Sequence, residues 1–153
     1  LLGNMWFLWV FGNNIEDALG PARYPLFYLM AGLAAVAAHV GLSPDSAAPM
    51  VGASGAISGV MGAYLVLYPR AEVLTLIPIF IFFRILVLPA WMMLGLWFLY
   101  QFMYGALVGG TGGGVAFWAH VGGFVAGLGT VKLFALSAGV CSRPGAAAIL
   151  ADP

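Results

Sequence analysis

Long apolar segments occupy most of this chain, and they constrain its fold more than any other feature of the sequence. Only 7% of the residues are charged and 63% are hydrophobic, whereas a soluble domain carries about 25% charged residues. So few charged side chains cannot cover a water-facing surface, and the chain therefore requires lipid as its solvent. The sequence predicts an all-α fold, a polytopic bundle of membrane helices.

Glycine, proline and polar residues divide the apolar sequence into five predicted spans. In chain order these spans cover residues 1–19, 24–40, 54–68, 86–107 and 115–136. The third span is shorter than the roughly 20 residues that cross a bilayer, so we expect neighbouring helices to bury it. Residues 71–89 contain Arg84 and are interrupted by Pro78 and Pro89. We expect them to form a bent interfacial connection that leads into the fourth span.

The basic residues predict the orientation of the chain in the membrane. With alternating spans, every Lys and Arg falls on one side of the bilayer: Arg23, Arg70, Arg84, Lys132 and Arg143. The positive-inside rule assigns this side to the cytoplasm, so the third and fifth spans both start at the outer side. We expect a membrane domain over residues 1–136 and an Ala/Gly/Pro-rich cytoplasmic tail over residues 137–153.

One serine and one histidine have the properties of a hydrolytic pair. Ser54 begins the third span, and His120 lies about five residues into the fifth, roughly 7 Å below its start. A neutral histidine can accept the proton of a serine hydroxyl, and unpaired N–H groups at a helix N-terminus can stabilise an oxyanion. The alternative is that the small residues around Ser54 are ordinary packing surface and His120 is a satisfied polar group in the bundle.

Glycines line both predicted helices beside this pair. Gly55 and Gly59 form a GxxxG pair in the third span, and Gly123 and Gly127 share a face with the histidine in the fifth. Small residues let two membrane helices approach closely, which a hydrogen bond between their side chains requires. Gly52 and Gly55 also leave room for a substrate carbonyl.

The remaining polar and aromatic residues predict no metal site and no basic surface. The net charge is zero, which argues against nucleic acid as a partner, and one cysteine (Cys141) with two histidines is too few for a metal centre. We expect no cofactor.

Gln101 is expected to line a water-accessible cavity. The five tryptophans are expected to lie mostly in interfacial belts or to face lipid: Trp6, Trp9, Trp91, Trp97 and Trp118.

Two short motifs lie on separate predicted spans, GASG at residues 52–55 and AHVGGFVAG at residues 119–127. Two further pieces are GNM at residues 3–5 and GNNIEDALG at residues 12–20. In their order and spacing, these motifs resemble those of the rhomboid intramembrane serine proteases. Either of the first two motifs alone is a weak signal, and the two together are a strong one.

The resemblance implies a Ser–His dyad without a third, acidic member, in which Ser54 is the nucleophile and His120 the general base. It implies that Asn4 stabilises the oxyanion together with Ser54. The family's first span and a second oxyanion residue, a histidine, are expected upstream of Leu1, so the five spans correspond to the family's second to sixth. Many members carry an aromatic residue one turn after the nucleophile, where this chain has Ser58, so another group must orient the histidine.

The expected substrates are transmembrane segments of other membrane proteins, cut in or near the bilayer. The expected location is the inner (plasma) membrane of a bacterium, with the active site opening to the outer side. Two alternatives remain open: a rhomboid-like pseudoprotease that binds transmembrane helices without cleaving them, and a small channel or transporter built on GxxxG packing. The channel requires polar residues along a whole path through the bilayer. The sequence predicts neither the individual substrate nor the oligomeric state.

Overall fold

The computed structural model describes residues 1–44, 53–79, 82–108 and 116–137. Most of these residues are helical, and each predicted span corresponds to a helical segment. The elements in chain order are α1 (Leu2–Phe7), a π-helical turn (Leu8–Gly12), α2 (Asn13–Leu19), α3 (Arg23–Leu42), α4 (Ser54–Leu67), β1 (Glu72–Ile79), β2 (Phe82–Pro89), α5 (Ala90–Val108) and α6 (Phe117–Ser137).

The first span is one helical run with a π-helical turn in its middle. Leu8 and Asn13, at the two junctions, both keep right-handed helical dihedral angles. The run ends at Gly20, whose φ of 84° is a conformation that side chains rarely adopt. The Gly20 N–H donates to the Glu16 carbonyl at 2.7 Å. The predicted stop at this glycine is confirmed.

Helices α3, α4 and α6 pack against one another to form the centre of the fold. All residues of α4 from Gly55 to Tyr64 are buried, so this short helix lies inside the bundle. Its apolar side chains contribute to a core that also includes Phe27 of α3 and Phe124 of α6. Burial by neighbouring helices therefore accounts for a span too short to cross a bilayer alone.

Large apolar side chains cover the outside of the bundle. Helix α3 buries only Phe27, Ala31 and Ala35, although nearly all of its residues are apolar. Its outward-facing Leu33 is 70% exposed, and Leu107 of α5 is 82% exposed. By length and composition, α3 and residues 117–135 of α6 are apolar enough to cross a membrane. An exposed apolar surface of this extent fits lipid as the surrounding solvent.

Residues 72–89 fold as a β-hairpin, which corrects the predicted bent connection and the all-α prediction. Strands β1 and β2 pair antiparallel from Glu72↔Pro89 to Ile79↔Phe82. A two-stranded ribbon consists of two edge strands, and an edge strand tolerates proline because one row of its N–H groups needs no partner in the ladder. The sequence analysis interpreted Pro78 and Pro89 as interruptions, but both prolines lie within the paired strands.

The base of the hairpin is hydrogen-bonded to the start of α5. The Ala90 N–H donates to the Ala71 carbonyl at 2.8 Å, and the Trp91 N–H donates to the Pro69 carbonyl at 2.9 Å. These bonds satisfy two N–H groups that a helix N-terminus leaves unpaired. Helix α5 consequently begins at Ala90, later than the predicted start of the fourth span.

Several predicted features lie outside the described residues. They are Gly52, Cys141, Arg143 and nearly all of the predicted tail.

Candidate active site

The N-terminal halves of α4 and α6 are in backbone contact through glycines. A Cβ added at Gly123 would overlap the carbonyl oxygen of Gly55, and one added at Gly127 would overlap that of Gly59. The two contacts are four residues apart on both helices, so they repeat one turn further along the same interface. Side chains at the same end of the two helices can therefore reach each other.

Alanines of α3 complete this small-residue interface. A Cβ added at Gly55 would lie 2.6 Å from the Ala35 Cβ, and one added at Gly59 would overlap the Ala31 Cβ. On the α6 side, a Cβ at Gly122 would overlap the Ala38 Cβ. Three helices thus meet with almost no side-chain volume between them, and their relative positions have little freedom.

The structure brings Ser54 and His120 into hydrogen-bonding contact. Ser54 is the first residue of α4, and His120 lies in the first turn of α6. The Ser54 Oγ and the His120 Nε2 are 2.9 Å apart. A hydroxyl held against an imidazole nitrogen can transfer its proton when the oxygen attacks an electrophile. The two residues are 66 positions apart in the chain and meet because α4 and α6 meet.

The second ring nitrogen of His120 contacts α5. Its Nδ1 lies 2.9 Å from the Oε1 of Gln101, whose side chain is only 7% exposed. Both ring nitrogens are therefore bonded to neutral groups, and no carboxylate takes part in either bond. The sequence analysis placed Gln101 at a cavity wall and missed this contact, because a sequence does not show which direction a lone polar side chain of an apolar helix faces.

Trp97, one turn before Gln101 on α5, packs against the histidine ring. The ring centroids of Trp97 and His120 are 5.9 Å apart, and those of Trp97 and Phe124 are 5.8 Å apart. Trp97 is therefore an exception to the prediction that the tryptophans mostly face lipid or lie in an interfacial belt. Trp118 packs edge-on against Phe102. The remaining tryptophans are strongly exposed, as expected of lipid-facing residues: Trp6, Trp9 and Trp91.

Ser58 lies one turn after Ser54 and is fully enclosed. Its side chain is 1% exposed, and its hydroxyl donates to the Ser54 carbonyl at 2.7 Å. A hydroxyl bonded back to its own helix in this way is satisfied locally. The ring contact with His120 comes instead from Trp97 of α5. Trp97 and Gln101 are therefore the candidates for the orienting group that the sequence analysis left unidentified.

Asn4 and the N-terminus of α4 are the predicted oxyanion groups. Asn4 is half-buried in α1, and α1 contacts α4. Ser54 begins α4, so its own N–H is among those that have no intrahelical partner. Within the described residues, no group of three or more His, Cys, Asp or Glu side chains is arranged to hold a metal ion.

A comparison with models of protein families gives a match. The model of the rhomboid domain matches residues 1–137, which cover the helices, the hairpin and every described residue of the site. A comparison with curated proteins found no match, and a comparison with solved structures found none either.

Proposed function

The chain belongs to the rhomboid family, and we propose that it is an intramembrane serine endopeptidase that hydrolyses peptide bonds in or near the transmembrane segments of other membrane proteins. The family makes it an integral membrane protein with a helical bundle. It includes serine proteases and inactive homologues, so membership alone does not choose between them. The observation that carries the proposal is the 2.9 Å contact between the Ser54 Oγ and the His120 Nε2.

In the proposed reaction, the Ser54 Oγ attacks the carbonyl carbon of the scissile peptide bond while its proton passes to the His120 Nε2. The C–N bond then breaks, and the imidazolium returns the proton to the leaving amine. An acyl-enzyme ester remains on Ser54. A water molecule attacks the carbonyl carbon of this ester while His120 accepts its proton. The ester C–O bond then breaks, the proton returns to the Ser54 Oγ, and the product leaves with a new carboxyl group.

The negative charge of the tetrahedral intermediate requires hydrogen-bond donors. We assign this role to the Asn4 side-chain amide and to the Ser54 N–H. The N-terminus of α4 also favours negative charge through the helix dipole. Such donors, held in place before the reaction, act strongly in surroundings from which water is largely excluded.

The distribution of buried polar side chains supports an enzyme over a channel. Within the described parts of the chain, the buried polar side chains are Ser58 and Gln101. Gln101 contacts His120, and Ser58 contacts the carbonyl of Ser54. Both therefore lie beside the Ser–His pair, whereas a channel needs polar groups along the whole depth of the bilayer.

The function is tested with the purified full-length protein in liposomes together with a reporter that carries a cleavable transmembrane segment. We expect the wild type and Ser58→Ala to cut the reporter, and Ser54→Ala to leave it intact. Ser58→Ala is the matched control because it removes a hydroxyl from the same helix, one turn away. A reporter that is bound but uncut by the wild type would contradict the protease proposal and favour the pseudoprotease.

A further inference from the structure

The contact between His120 and Gln101 determines which ring nitrogen carries the proton. The Oε1 of a glutamine is a carbonyl oxygen and can only accept a hydrogen bond. The His120 Nδ1, 2.9 Å from it, must therefore donate its hydrogen. A neutral imidazole with hydrogen on Nδ1 has a bare lone pair on Nε2, which is the nitrogen that faces Ser54.

We propose that Gln101 is a positioning residue that selects the tautomer of His120 able to act as a base, and that Trp97 fixes the plane of the ring. This inference rests on the proposed function, because the tautomer matters only if Ser54 must lose its proton. The opposite tautomer would place an N–H against the Ser54 hydroxyl, and the ring could then accept no proton from it.

Two contacts from one face of α5 hold the ring. Trp97 and Gln101 are four residues apart, so their side chains lie above one another on the helix. The tryptophan ring is tilted by 39° to the imidazole, and the glutamine bonds its edge. The Trp97 contact limits rotation of the imidazole ring out of its plane, and the Gln101 hydrogen bond limits rotation within this plane.

Helix α5 is itself held against α6 on both sides of Gln101. Phe98 stacks on Phe124 with ring centroids 4.8 Å apart. One turn after Gln101, a Cβ added at Gly105 would lie 3.3 Å from the Trp118 ring. These contacts fix the rotation of α5 about its axis, and with it the direction in which the glutamine side chain faces.

A neutral partner suits this position better than a carboxylate. A buried, unpaired charge in apolar surroundings is costly, whereas a buried amide that forms hydrogen bonds costs far less. Glutamine can therefore orient the imidazole without placing a charge in the membrane domain. This arrangement differs from the acid–histidine pair of soluble serine hydrolases, in which a carboxylate also stabilises the imidazolium.

The tautomer is read directly by nitrogen-15 NMR of the wild-type protein in lipid, labelled at histidine. The chain has two histidines, and His39→Gln removes the other signal. We expect a protonated Nδ1 and a bare Nε2 on His120. A proton on Nε2 would contradict the inference, because the glutamine amide would then have to be turned to present its NH₂ group.

Two substitutions test the consequence for reactivity. Gln101→Leu removes the acceptor of this hydrogen bond. It should slow reporter cleavage, and the labelling of Ser54 by a serine-directed phosphonate probe, by about 10- to 100-fold, because one orienting buried hydrogen bond is lost. The KM for the reporter should change little. Gln101→Glu keeps an acceptor and should retain more activity. The pH below which this variant loses cleavage activity should be higher than in the wild type, because a carboxylate stabilises the imidazolium.

The outcomes separate the inference from the function on which it rests. A wild type that does not cut the reporter and is not labelled by the phosphonate probe contradicts the proposed function. A wild type that cuts while Gln101→Leu cuts at the same rate contradicts only the role of Gln101. If Gln101→Leu fails to fold, the tautomer of the wild type and the pH profile of Gln101→Glu still decide.

Discussion

Gly127 of α6 packs on the carbonyl oxygen of Gly59 of α4, so closely that a Cβ on Gly127 would overlap this oxygen. The contact lies one turn beyond that between Gly123 and Gly55 and continues the same interface. At the end of this interface, the Ser54 Oγ and the His120 Nε2 are within hydrogen-bonding distance. The proposed chemistry therefore depends on how closely two helix backbones approach.

Gly127→Ala should destabilise the bundle and weaken the proposed dyad together. The added methyl group meets a backbone oxygen, which cannot move aside as a side chain can, and overpacking of this kind costs about 1–3 kcal/mol. Gly129→Ala is the matched control, because a Cβ at this position has no atom within 4 Å. Unfolding by SDS titration measures both variants. Equal midpoints for the two would contradict the close packing at Gly127.

His120→Ala should reduce reporter cleavage by about 100- to 10,000-fold, the usual contribution of a positioned general base. The variant should remain folded, because its helix is held by the glycine contacts. The control is His39→Ala, which removes the other histidine of the chain, near the end of α3. Comparable losses for the two variants would indicate that histidine supports folding at both positions and that His120 has no special role in the reaction.

Much of the fold could be predicted because its determinants are local. Gly20 ends the first span through its own φ of 84°, and the sequence shows a glycine followed by a proline at this point. The short third span required burial, and the structure encloses α4 within the bundle. The depth argument for Ser54 and His120 used only the helical rise and alternating spans.

The environment of the histidine could not be predicted because α5 is apolar on all sides. In a water-soluble helix, the polar face marks the outside, but a membrane helix gives no such signal. Nothing in the sequence distinguishes Trp97, which packs on His120, from Trp91, which is 56% exposed. The hairpin was missed for a different reason: Pro78 and Pro89 were interpreted as breaks, although an edge strand tolerates them.

Asn4→Ala should slow cleavage by about 100- to 1,000-fold if its amide is an oxyanion donor. KM should change little, because the donor acts mainly on charge that develops in the transition state. Met5→Ala provides a control in the next residue of α1, where the side chain is 48% exposed. A rate for Asn4→Ala that equals the control rate would remove Asn4 from the proposed site.

Gly20→Ala should destabilise the protein through backbone strain alone. A Cβ at this position has no atom within 4 Å, but the φ of 84° is unfavourable for alanine by about 1–3 kcal/mol. Gly41→Ala also adds a methyl group in open space, but within helix α3 and without a positive φ. This control should be neutral or slightly stabilising. SDS titration of both should separate them, and a neutral Gly20→Ala would contradict the conformation at the helix stop.

The most direct test of the proposed Ser54–His120 pair is covalent labelling with a fluorophosphonate, followed by mass spectrometry of the labelled peptide. An activated serine attacks this probe, whereas an ordinary buried hydroxyl such as that of Ser58 does not. We expect a single adduct on Ser54 in the wild type, strongly reduced in His120→Ala and absent in Ser54→Ala. An adduct on another residue, or undiminished labelling of Ser54→Ala, would contradict the assignment of Ser54 as the nucleophile.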